Sequence, residues 1–199
     1  MAYSDFTFAK LKAKFGIDQK SVHLFRQTIV EFVPTSHLLD EIADGIESPL
    51  YSEKAKSEAL IYPVIRELKK RNKDISVFSG YTFNIDNQSD LTGAPDFMIS
   101  AKPNIVEPQC PIFCMVESKN KAPDEGFAQC AAEMYAARLF NQQMGDPYET
   151  IYGAVTNAFD WVFLKLEGNT VYVDIDRYYL NQLPKLLGIL QYIIDVAKK

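Results

Sequence analysis

The stretch Pro111-Ile112-Phe113-Cys114-Met115-Val116-Glu117-Ser118-Lys119 constrains this fold more than any other: six apolar residues in succession end in an acid, a hydroxyl and an amine. A strand with one wet face alternates apolar and polar residues. An unbroken apolar run of this length fits a strand covered on both faces of a sheet. Residues 111–119 therefore read as an interior strand, which requires helices above and below it and strands on either side.

The rest of the chain supplies them. Residues 75–86 and 95–100 carry β-branched and aromatic residues and read as strands, as do stretches near 150–156, 161–166 and 170–174. Helical spacing appears over 52–72, where Ala55, Ala59, Leu60, Val64 and Leu68 recur and Ser52 can cap the start. Pro63 lies inside that helix and predicts a bend or break. Lys69-Lys70-Arg71-Asn72-Lys73 reads as cations complementing its C-terminus. A second helix is predicted over 124–142, and a third, with Leu183, Leu186, Leu187, Leu190, Ile193 and Ile194 on one face, over 182–197. Short helices at 5–15 and 36–46, the latter capped by Ser36, make residues 1–50 an N-terminal helical extension. The predicted fold class is α/β, a central mixed β-sheet flanked by helices. All 199 residues belong to one domain, with its core at 52–175.

Bulk properties bound the function. The chain begins without the continuous apolar segment of a secretory signal, and no apolar run approaches the ~18 residues of a membrane span, so a cytoplasmic protein is expected. Cys110, Cys114 and Cys130 are odd in number and read as reduced thiols. Four residues of strand hold Cys110 and Cys114 roughly 13 Å apart, too far to share a zinc ion. His23 and His37 have no ligand-like partner in the sequence and read as surface or capping residues. Twenty-one basic and 26 acidic side chains give a net charge of −5, which argues against extended nonspecific binding to nucleic acid. Tyr81, Phe83, Phe97 and Phe113 read as core aromatics.

The chemistry lies where charge enters the apolar strands. Asp96 follows Pro95 at the start of one strand, and Glu117 and Lys119 close the next. Side chains alternate along a strand, so Glu117 and Lys119 point to one face and Ser118 to the other. If the two strands are neighbours, Asp96 and Glu117 converge. Two carboxylates held close need a proton or a cation between them. A hard divalent ion, Mg²⁺ or Mn²⁺, suits these carboxylates together with the Ser118 carbonyl. An ammonium beside them, Lys119, can position a water and neutralise charge on a phosphorane-like transition state.

On Pro95-Asp96 and Glu117-Ser118-Lys119, with 20 residues between the two acids, the sequence resembles the PD-(D/E)xK nuclease superfamily. The resemblance covers roughly residues 52–166. It implies a restriction-endonuclease-like core, with Asp96 and Glu117 as ligands of Mg²⁺ or Mn²⁺ and Lys119 as the catalytic amine. It further implies that Glu58, on the preceding helix, supports the metal or its waters, and that Gln129, on the following helix, orients the site. Glu133 shares the face of Gln129. It stands where exonuclease-like branches often carry a tyrosine, with Tyr135 nearby instead. The implied partner is nucleic acid, DNA first, and a homodimer is implied by resemblance alone. The alternative class is a non-catalytic module on the same scaffold that binds nucleic acid or a protein.

Overall fold

The computed structural model describes residues 2–146 and 148–198. The first third holds α1 (Phe8–Phe15), β1 (Asp18–Val22) and α2 (Ser36–Glu47). Next come α3 (Glu53–Lys56), a π turn (Ser57–Ile61), α4 (Tyr62–Arg71), β2 (Ser76–Ser79), β3 (Phe97–Ser100), β4 (Ile112–Ser118) and α5 (Phe127–Gln143). The chain closes with β5 (Ile151–Thr156), β6 (Asp160–Glu167), β7 (Thr170–Asp174), β8 (Tyr178–Tyr179) and α6 (Leu183–Ala197). The eight strands form one mixed sheet in the order β1-β7-β6-β5-β4-β3-β2, with β8 added to β6. It is the α/β class with helices flanking a central mixed sheet. Among the described residues no helix is long and apolar enough to cross a membrane.

Every residue of β4 is buried, as its unbroken apolar composition requires. It pairs antiparallel with β3 on one side and parallel with β5 on the other. A parallel neighbour needs a crossover, and α5 provides it. On one face of the sheet, Leu60, Ile61, Val64 and Leu68 pack with Phe97, Ile99, Phe113 and the apolar side of α6. On the other, Cys130, Ala131, Met134 and Ala137 of α5 pack against Met98, Met115, Ile151 and Val155. Gly153 lets α5 lie close, since a Cβ there would stand 2.6 Å from Met134 Sδ. Asn141 then fixes the helix lengthwise: its side chain accepts from the Ile112 N–H and donates to the Ile112 carbonyl, both at 2.8 Å.

Several expectations need local revision. Residues 1–50 are not wholly helical: β1 lies between α1 and α2 and pairs in parallel with β7 at the sheet edge. Its sequence, Asp18-Gln19-Lys20-Ser21-Val22, is polar because edge strands are protected by charge, which hid it from an apolar pattern. Thr35, not Ser36, caps α2 through a bond from the Leu38 N–H, whereas Ser52 caps α3 by accepting from the Ala55 N–H. The strand predicted over 75–86 stops at Ser79, because Gly80 turns with φ 59°. Beyond it Phe83 and Ile85 donate to the carbonyls of Gly93 and Leu91, making a small arm of their own. Phe83, Phe97 and Phe113 are core residues, but Tyr81 is exposed.

Pro63 does not end its helix. The turn before it widens, so that the Tyr62 N–H reaches the Ser57 carbonyl five residues back. Such a π turn relieves the clash of a proline ring with the preceding turn. The same turn receives α2: a Cβ on Gly45 would lie 2.5 Å from the Ala59 carbonyl oxygen, a backbone atom with little freedom to retreat. Gly45→Ala is expected to destabilise the protein by about 1–3 kcal/mol. A thermal melt reads this as a midpoint lower by roughly 2–4 °C per kcal/mol; an unchanged midpoint would mean that α2 does not rest on this turn.

Candidate functional site

The register of β3 against β4 pairs Phe97 with Val116 and Met98 with Met115. Extending it by one residue sets Asp96 opposite Glu117. Directly opposed residues in an antiparallel pair have Cβ atoms about 5 Å apart on one face. Met98 and Met115, two residues inward, belong to the cluster under α5, so Asp96 and Glu117 share that side of the sheet. Asp96 Oδ2 accepts the Ser118 N–H at 2.7 Å, which pins the aspartate to the end of β4. The Gly80 N–H donates to the Asp96 carbonyl at 3.0 Å and holds the other side.

Lys119 follows at the same strand end, its own N–H donating to the Thr156 carbonyl of β5 at 2.8 Å. Its ammonium donates to Glu117 Oε1 at 2.6 Å and to Gln129 Oε1 at 3.0 Å. Gln129 in turn donates from Nε2 to Glu133 Oε1 at 3.1 Å. The second oxygens of Glu117 and Glu133 are both buried and have no donor. These two carboxyl groups interact directly, which closes a ring of Lys119, Gln129, Glu133 and Glu117. Gly126 backs this ring: a Cβ there would come within 2.9 Å of Lys119 Cε, so only glycine leaves room for the lysine stem.

Burial dominates the electrostatics. Desolvation, reinforced by the Asp96 charge and partly offset by Lys119, pushes the Glu117 carboxyl up to about 7. Glu133 is fully buried and is pushed well above the usual carboxylate range, first by desolvation and then by Glu117. Burial draws Lys119 downward, but the charges of Glu117, Glu53 and Asp96 outweigh it and the net displacement is upward. Cys114 and Cys130 are buried, and desolvation pushes both thiols up, Cys114 to about 12. They stay protonated and offer no thiolate.

The structure thus brings Asp96, Glu117, Ser118, Lys119 and Gln129 together, with Glu133 beside them. Glu58 stands apart, its side chain 70% exposed and 3.8 Å from Lys54 in an i,i+4 pair. The acid that acts on Lys119 from this helix is Glu53, at its capped start. Lys56 of the same turn donates to the Asn120 carbonyl at 2.5 Å and ties α3 to the strand end. Glu53 and Glu58 are five residues apart, about 140° around a helix, and cannot share a face. No pattern in the sequence says which of the two faces the strand.

The donors are oxygen atoms, and the buried carboxylate oxygens without partners are what a hard divalent cation would satisfy. As they stand, the carboxylates of Asp96, Glu117 and Glu133 do not all lie within 4.8 Å of one another, so an ion would draw them inward. Among the described residues that spacing is met by His23, Asp174 and Asp176. There His23 lies 2.9 Å from Asp176, and Asp174 accepts from the Leu24 and Asp176 N–H groups and the Tyr178 hydroxyl. These bonds already account for the cluster, with Asp174 buried at the end of β7 and His23 and Asp176 exposed, without an ion. The chain matches no protein-family model, and no curated protein sequence matches it.

The raised carboxyls have a consequence for stability. In the folded state Glu117 holds its proton up to about 7, whereas at its ordinary value of 4.5 the unfolded chain releases it earlier. The folded state therefore binds more protons through this window, and stability falls as pH rises across it. In chelator-treated protein, Glu117→Gln is expected to flatten this decline in a series of denaturant titrations from pH 4.5 to 7.5. A slope identical to wild type would place the raised carboxyl elsewhere.

Proposed function

We propose that this chain is a metal-dependent, nuclease-like protein that hydrolyses phosphodiester bonds of DNA. The observation that carries the reading is the β3–β4 register, which sets Asp96 opposite Glu117 with the Lys119 ammonium 2.6 Å from the latter. The pairing is the one that the PD-(D/E)xK resemblance requires of its two half-motifs, with α5 following the second half. Asp96, Glu117 and the Ser118 carbonyl would hold Mg²⁺ or Mn²⁺. A bound ion supplies Lewis-acid stabilisation of the phosphate and activates a water.

The protein's own groups do the positioning. An ammonium has three donors; two on Lys119 are spent on Glu117 and Gln129, leaving one for a water or a phosphate oxygen. Gln129 fixes the direction of that third donor by holding the amine from α5. Because Lys119 is mostly buried, its charge acts in a medium less screened than water. With a net charge of −5, binding relies on this local chemistry rather than on a basic surface. A reducing, cytoplasmic setting accords with three unpaired cysteines.

A second reading, a non-catalytic module on the same scaffold, is favoured by the exposure of Glu58, which leaves one implied supporting acid outside the site. DNA hydrolysis separates the two. With Mg²⁺ or Mn²⁺, wild type is expected to cleave single- or double-stranded DNA, and Asp96→Ala and Lys119→Ala to lose roughly 100-fold or more. Equal rates in all three would remove the nuclease assignment.

A further inference from the structure

Glu133 is unexplained by the two half-motifs. It is fully buried on α5, and only one of its oxygens has a donor. Burying a second acid against Glu117 is costly unless a positive charge or a proton compensates it. Lys119 does not serve: its bonds go to Glu117 and Gln129. Gln129 satisfies one Glu133 oxygen; the other is buried without a donor, and because the Glu133 and Glu117 carboxyls interact directly, the pair needs either a shared proton or a cation.

We infer that Glu133 is a third carboxylate ligand of the divalent ion, so that the centre is built from helix α5 as well as from strands β3 and β4. This rests on the metal-dependent reading above and deepens it. An ion that displaces the protons of Glu117 and Glu133 meets three carboxylates against one ammonium, two negative charges in excess, which match one divalent ion; with only Asp96 and Glu117 ionised beside Lys119, one would remain. The three side chains offer oxygen donors, the set preferred by Mg²⁺ and Mn²⁺. The buried thiol of Cys130, one turn earlier on the same helix, is held protonated and does not turn the site toward a softer metal. Asp96 has one oxygen committed to the Ser118 N–H, so the helix carboxylate supplies a donor that the strand pair lacks.

The test is metal binding rather than cleavage. Mn²⁺ affinity is measured by electron paramagnetic resonance on the full chain, and the number of waters on bound Tb³⁺ from luminescence lifetimes in H₂O and D₂O. Glu133→Gln keeps the shape and can still bond to Gln129, so a thermal melt near that of wild type is expected. We expect it to bind Mn²⁺ at least tenfold more weakly than wild type and to gain one water on Tb³⁺. If Glu133→Gln matches wild type in both, while Glu117→Gln loses binding, Glu133 is no ligand although the metal-dependent reading stands. If wild type itself binds no Mn²⁺, both fall together. Should Glu133→Gln unfold, Glu133→Asp replaces it: the shortened acid is expected to bind with intermediate affinity, and wild-type affinity in it would overturn the inference.

Discussion

Asp96 and Glu117 meet across β3 and β4 on the side covered by α5, and this conflict of like charges organises the surrounding structure. One is tied to a backbone N–H at 2.7 Å, and the other is buried against an ammonium at 2.6 Å. The second arrangement is costly, because a carboxyl removed from water must recover its solvation from fixed donors. The sheet supplies those donors from groups that cannot move independently: the Ser118 N–H belongs to β4, and Lys119 is anchored by its own N–H to β5. The acids are therefore held by the same ladder that builds the fold.

Helix α5 makes the arrangement stable from the other side. Its first turns carry Gln129 and Glu133 to the strand end, and its last turn locks onto the start of β4 through Asn141. A helix fixed at both ends of a strand cannot slide by a turn without breaking either the buried amide clamp or the polar ring. Two glycines permit this closeness, Gly153 under the middle of the helix and Gly126 at its start. Both act by the absence of a side chain, since their neighbours would otherwise meet a Cβ inside contact distance.

Much of this was legible in the chain. The buried strand, the strands at 151–174 and the amphipathic α6 follow from periodicity alone, because core burial imposes it directly on side chains. Asp96, Glu117 and Lys119 stood out as charges at the ends of apolar runs. The polar edge strand β1 was not legible, since an edge needs little apolar surface. The widened turn before Pro63 was not legible either: proline announces a conflict with the helix but not how the backbone relieves it. Glu53 and Glu58 looked alike in sequence; the capped start of α3 and its tie to Asn120 put Glu53 near Lys119 and left Glu58 in solvent.

By itself the sequence determined which segments are buried and which charged residues interrupt them, because both are properties of short stretches read through the geometry of a strand or a helix. The tertiary structure alone decided that residues 96 and 117 are opposed, that α5 presents Gln129 and Glu133 to them, and that Glu133 loses its water. Those outcomes depend on register and on helix placement. Both are set by contacts between residues distant in the chain, whose energies no local pattern contains.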